Sequence, residues 1–235
     1  MLAFDWTQLA QQTVIGLSSG GTWALLALAI VLIYRSTGVV NFAQGEMAML
    51  STFVAWSLVH HGLSFWEAFF LTVALSFCGG VGIERAVIRP VERAPVLTIV
   101  IVTLGLALRA AAINPEESRL LGVRVSWMIA IGWGLAAALG AVAGMLTAPA
   151  LASFDQNLMQ PVLLYALAGA VLGGLESPVG AVVGSLLLGV FVNLVGTYVD
   201  WVGNDLRLPV ALAVILGVLL VKPAGLFGQT AARRV

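Results

Sequence analysis

Residues 14–34 run without a single charged side chain, and Arg35 ends them. About 20 consecutive apolar residues cross the ~30 Å hydrocarbon core of a bilayer as one helix. Apolar runs recur at 42–59 and 65–83, each with one glutamate, and at 126–151, 159–175 and 178–199, with shorter ones at 96–108 and 208–221. A chain made of such runs has few options. Backbone N–H and C=O groups find no water in hydrocarbon, so each run must satisfy them within itself, as a helix does. The expected fold is all-α: a polytopic transmembrane helical bundle of about eight apolar segments, forming a single membrane domain over residues 1–235. Residues 1–13, with Phe4 and Trp6 among polar neighbours, read as an interfacial segment rather than a span.

Composition narrows the function classes. The chain is 60% hydrophobic and 9% charged, where a soluble domain carries roughly a quarter charged residues. Its net charge is zero, so nothing favours nucleic acid as a partner, and membrane lipid is its solvent. The single cysteine, Cys78, lies in an apolar run and has no partner for a disulfide. His60 and His61 are adjacent at a span end, and neighbours on a helix face different ways, so no metal site is expected. No Ser-His-Asp set, phosphate-binding loop, HExxH motif or catalytic carboxylate pair occurs, and the expectation is a protein that is not an enzyme and carries no cofactor. No Lys or Arg precedes the first apolar run, which argues against a cleaved signal peptide.

Basic residues favour the cytoplasmic side of a membrane. Arg35, the Arg85–Arg93 stretch, the Arg109–Arg124 stretch and the tail at Lys222, Arg233 and Arg234 then lie inside, with Arg207 the exception. One place resists. The stretches around Arg85–Arg93 and Arg109–Arg124 both belong inside, yet only the run 96–108 separates them. As a helix it is about 20 Å long at 1.5 Å per residue, short for a crossing. Either it dips in and returns, or a span is missing near Leu108–Arg109.

The stretch 109–125 is the one long polar segment in the middle of the chain. Asn114 suits an N-cap, and Pro115 suits the first helical position, where its missing N–H costs nothing. Glu116 and Glu117 put negative charge at the positive end of the helix dipole, with Glu117 placed as in a capping box. Leu120 and Leu121 follow, and Gly122 is the expected stop. This reads as a short docking helix outside the membrane, or as a plain helical connector. Polar residues inside apolar spans are the other candidates, since they are costly there unless they face a cavity or a partner. Gln44, Glu46 and Asn193 qualify; Asn41 can cap the second helix, with Gln44 completing a capping box. Glu46 lies near a span end and can reach the headgroups; Asn193 lies deep and can serve an interhelical hydrogen bond. Gly140 and Gly144, Gly169 and Gly173, and Gly180 and Gly184 are each four apart, a spacing that lets helix backbones approach.

Two stretches carry a family likeness. IYRSTGVVNFAQGEMAML at 33–50 resembles the first cytoplasmic turn and second helix of permease subunits of branched-chain amino acid ABC importers. RAAAINPEESRLLGVRV at 109–125 resembles their coupling segment, with Asn114, Pro115, Glu116 and Gly122 at matching places. LLYALAGAVLGGLESPVGAVVGSLLLG and KPAGLFG are similar to the same family. The resemblance implies a bacterial inner-membrane subunit that pairs with a second permease subunit, two cytoplasmic ATPases that bind the ATP, and a periplasmic substrate-binding protein. It implies an ATPase-coupling role for Asn114, Pro115, Glu116, Glu117, Leu120, Leu121 and Gly122. It leaves the substrate open, because urea and short-amide permeases are similar. It also departs at Leu108–Arg109, where family members carry a further loop and span, so an internally deleted, inactive permease stays open. A secondary transporter or channel is the rival class, and it would show more charged or broken helices at the midplane.

Overall fold

The structure is a computed structural model and describes residues 5–38, 40–91, 125–148, 158–203 and 205–228. Its described elements are helices: α1 (Trp6–Thr37), α2 (Gln44–His60), α3 (Phe65–Ile83), α4 (Val125–Thr147), α5 (Met159–Gly173), α6 (Pro178–Tyr198) and α7 (Arg207–Val221). Four helical stretches, Trp6–Thr37, Phe65–Ile88, Trp127–Thr147 and Pro178–Tyr198, are long and apolar enough to cross a membrane; α5 and α7 are shorter apolar helices. The eighth expected segment, 96–108, lies outside the described residues.

The amino-terminal reading needs correction. Residues 6–13 are no separate segment but the first turns of α1, which runs unbroken for 32 residues, about 48 Å at 1.5 Å per residue. Asp5 starts it, accepting bonds from the Thr7 and Gln8 amides, and the Thr7 hydroxyl and these amides hold the Asp5 carboxyl below its ordinary range. The third span also continues past its expected end. A π-helical turn, Glu84–Ile88, leads into Arg89–Val91, where a loop is expected from the charges. The wider turn sets Glu84 at 1% exposure and buries Ile88. Arg85 stays outside and rests its guanidinium 4.1 Å from the Trp127 ring centroid, a cation–π contact at a span end. The start of α3 carries a complete capping box: Ser64 Oγ accepts from Glu67 N–H, and Ser64 N–H donates to the Glu67 carboxylate at 2.9 Å.

Two compact units result. One comprises Met1–Ala27 with Leu164–Val235, the other Leu28–Leu163. In the second, Ala29, Ile33, Ile88, Ile129, Trp133 and Ala136 form a core. Here Gly140 and Gly144 give α2 its approach to α4: a Cβ at Gly140 would lie 3.4 Å from Ala48 Cβ, and one at Gly144 would lie 2.9 Å from the Ala48 carbonyl. In the first unit, Ala168, Leu172, Leu188, Val192, Ala211 and Ile215 form the core, with Trp23 and Tyr165 stacked at 4.2 Å. Gly169, Gly173, Gly180 and Gly184 bring α5 and α6 into backbone contact. Gly16 and Gly20 of α1 meet α6 at Gly189, Val190 and Ser185 in the same manner, a small-residue crossing that the spacing of the later glycines had not covered.

Candidate functional site

Gln44 is the first residue of α2 and is fully buried. The expected capping box does not form. Asn41 Oδ1 instead accepts from Ala43 N–H at 3.1 Å, closing a turn before the helix, and Asn41 Nδ2 donates to Gln44 Oε1 at 3.2 Å. Gln44 Nε2 is thereby aimed away from its own helix and donates to the Ala136 carbonyl of α4 at 2.8 Å. Gly140 makes this possible: a Cβ there would sit 2.8 Å from that amide nitrogen. A buried amide must find partners, and Gln44 finds one at its own helix end, Asn41, and one on a neighbouring helix, the Ala136 carbonyl. Glu46, half a turn on, is exposed in the first turn of α2, where a carboxylate complements the positive end of the helix dipole.

Asn193 sits at the centre of a polar knot in the other unit. It is 7% exposed. Its amide nitrogen donates to Gln12 O at 2.7 Å and to Gln12 Oε1 at 2.9 Å. Thr197 Oγ1 lies 3.3 Å from the same Gln12 oxygen and 2.8 Å from Asn193 O. Arg207 Nη1 donates to Asn193 Oδ1 at 3.3 Å, and its side chain lies against α6 at Gly196, where a Cβ would collide with the guanidinium. One amide thus ties α1, α6 and α7. Gln12, Thr197 and Arg207 were not among the sequence candidates. Gln12 falls in the stretch 1–13 that reads as interfacial, and the one sequence sign of Arg207 is that it alone among the cations breaks the orientation rule.

The knot has a direct test. Asn193→Leu strands the Gln12 oxygens and the Arg207 donor, and a buried polar group left unpaired costs about 1–3 kcal/mol. A clear fall in the melting temperature of the detergent-solubilised protein is expected. Gln12→Leu should lower it too, and the double variant by less than the two together, as for groups in one network. Additive losses would mean that the two side chains act separately.

The positions expected to meet an ATPase, Asn114, Pro115, Glu116, Glu117, Leu120, Leu121 and Gly122, lie outside the described residues. Among the described residues no group of His, Cys, Asp and Glu is placed to hold a metal.

Comparison with known proteins completes the picture. The family model described as branched-chain amino acid transport system / permease component matches residues 12–104 and again 102–221. The LivH high-affinity branched-chain amino acid permease protein of Salmonella typhimurium is 25% identical over 305 aligned positions, which cover 96% of this chain and 97% of that protein. LivH of Escherichia coli K12 is 24% identical over the same length and coverage. BraD of Pseudomonas aeruginosa is 27% identical over 302 positions, again with 96% and 97% covered. No solved structure matches the chain. An alignment of 305 positions against 235 residues leaves at least 70 positions that this chain does not fill. The two family matches meet at 102–104, inside the short run 96–108 and a few residues before the join at Leu108–Arg109 that the arginines point to. With its apolar helices and these matches over nearly its whole length, the chain belongs to the permease-component family of branched-chain amino acid transport systems.

Proposed function

We propose that this protein is the membrane-spanning permease subunit of an ABC importer that moves branched-chain amino acids inward across the bacterial inner membrane. The observation that supports the reading most is the family match on both sides of the junction, over 12–104 and 102–221. The chain forms a path with a second permease subunit, receives cargo from a periplasmic binding protein, and takes its driving force from two cytoplasmic ATPases, which bind the ATP. The segment 114–122 is the piece that touches an ATPase. The capping pattern in its sequence and its paired leucines suit an apolar contact outside the membrane. Gln44, Glu46 and Asn193 are the candidate path residues. Of these, Asn193 and Gln44 are engaged in interhelical bonds, so they shape the path by holding helices, while Glu46 is free to meet a passing ammonium group.

A second reading rests on the 70 or more unfilled positions: the protein assembles but does not transport. Reconstitution separates the two. Proteoliposomes holding the chain with its permease partner and ATPases, supplied with binding protein outside and ATP inside, should accumulate radiolabelled leucine, and non-hydrolysable nucleotide should stop it. An assembled complex that hydrolyses ATP without leucine uptake would overturn the transport reading in favour of the second.

A further inference from the structure

Arg207 is the one cation that the orientation rule leaves on the outer side, and the structure gives it a fixed place. It opens α7 and reaches back to α6, where Nη1 donates to Asn193 Oδ1 at 3.3 Å. Gly196 clears the way: a Cβ there would lie 3.0 Å from Arg207 Cζ. The start of α7 carries no side-chain cap, so the positive end of the helix dipole adds to the guanidinium charge.

A guanidinium carries a fork of N–H donors and no acceptor, and Asn193 satisfies only part of the fork. Nε is pressed under α6 at Gly196 and has no acceptor. The Nη2 end is not buried, so this is where an anion can reach the charge. No carboxylate among the described residues pairs with it. Asp5 is engaged by the Thr7 and Gln8 amides, Asp200 and Asp205 are exposed, and Glu176 lies in the turn at the far end of α6. The other members of the knot, Gln12, Asn193 and Thr197, are neutral and bonded to one another. An ionised group held in a partly buried site and short of acceptors is costly until an anion meets it.

The surroundings narrow the anion. Arg207 lies within electrostatic reach of Tyr165, whose ring stacks on Trp23 at 4.2 Å, and both rings pack on the core of Ala168, Leu172 and Leu188. A guanidinium beside an aromatic, apolar surface suits a small carboxylate with an aliphatic body, because the fork matches the planar carboxylate and the body leaves water. Sulfate or phosphate would use the charge alone. We propose that Arg207 is the carboxylate-binding residue of this permease and holds the α-carboxylate of an aliphatic amino acid beside the Tyr165–Trp23 pair. The choice of an amino acid as the carboxylate rests on the importer reading.

The test uses the unmutated full chain in detergent, so no variant has to fold. Phenylglyoxal modifies accessible guanidinium groups, and the adduct at Arg207 is quantified by mass spectrometry after chymotryptic digestion, with the exposed Arg35 as internal reference. Ionic strength is held constant. Millimolar leucine or isovalerate should slow modification of Arg207 several-fold. Leucinamide, which has the same body without the carboxylate, should not, and neither should sulfate. The rate at Arg35 should stay the same throughout. Equal modification of Arg207 with and without leucine would overturn the proposal and leave the guanidinium to water or to a carboxylate of the chain itself. Slowing by leucinamide or sulfate as large as that by leucine would overturn it as well, because apolar contact or charge alone would then account for it. The readout involves no transport. Absence of leucine uptake by the reconstituted complex would therefore count against the importer reading and leave protection of Arg207 to decide this site.

Discussion

Replacing Leu120 and Leu121 together by Asp should abolish copurification of the ATPase subunits while the permease stays in the membrane. In the proposed docking the two leucines are the apolar side chains that the segment after Asn114 brings to the ATPase, and an ionised carboxylate taken into an apolar contact costs far more than such a contact returns. In the proposed contact each substitution exchanges an apolar side chain for an unpaired charge, so the loss should exceed a hundredfold in the amount recovered. Pull-down from detergent-solubilised membranes, with the permease measured by immunoblot, reads it directly. Full recovery of the ATPase with both Asp residues present would move the docking surface elsewhere on the cytoplasmic side.

The largest stability effect is expected at Gly184. Its position in α6 lies against α5 so closely that a Cβ would come within 2.5 Å of Gly169 O and 2.7 Å of Gly173 N. These are backbone atoms of a helix and cannot step aside as a side-chain tip can. Overpacking a core ordinarily costs about 1–3 kcal/mol, and Gly184→Leu forces two backbones apart, so it should lie at or above that range. The variant should reach the membrane poorly and elute as aggregate from a sizing column. Gly217→Ala, by contrast, meets open space and sits within a helix, where Ala is favoured by about 1 kcal/mol over Gly; it should be neutral or slightly stabilising. Equal damage from both would show that packing at Gly184 is not the cause.

Several span starts were legible because apolar length and turn residues decide them. The third apolar run was expected to begin at Phe65 and does so, and the starts at Met159 and Pro178 hold as well. Polar residues near helix ends were harder to read. Gln44 looks like a capping residue by spacing alone, and only the position of Ala136, 92 residues away, turns its amide outward to α4. Gln12 was hidden for a similar reason. A glutamine among polar neighbours in a terminal segment looks solvated, until α1 is continuous and brings it against Asn193, 181 residues on. The helical continuation through Glu84–Ile88 was masked by its charges. Its arginine points out while its glutamate and isoleucine turn in, an arrangement that a π turn permits and a plain count of charges does not reveal. The internal gap was legible, because topology imposes a parity that four arginine-bearing stretches must satisfy.

That parity carries the account. If the break at 102–104 joins the beginning of one span to the end of another, the run 96–108 is two part-spans fused, which accounts for both its 13-residue length and its place between two stretches that their arginines assign to the cytoplasm. The measurement is cysteine labelling in intact cells, with Arg89→Cys and Arg119→Cys made singly in a Cys78→Ser background and a membrane-impermeant maleimide added outside. Neither site should label until the membrane is permeabilised, and both should label then, which places 84–95 and the docking segment together in the cytoplasm. Labelling of Arg119→Cys from outside in intact cells would put that segment on the wrong face for any ATPase and would contradict the account.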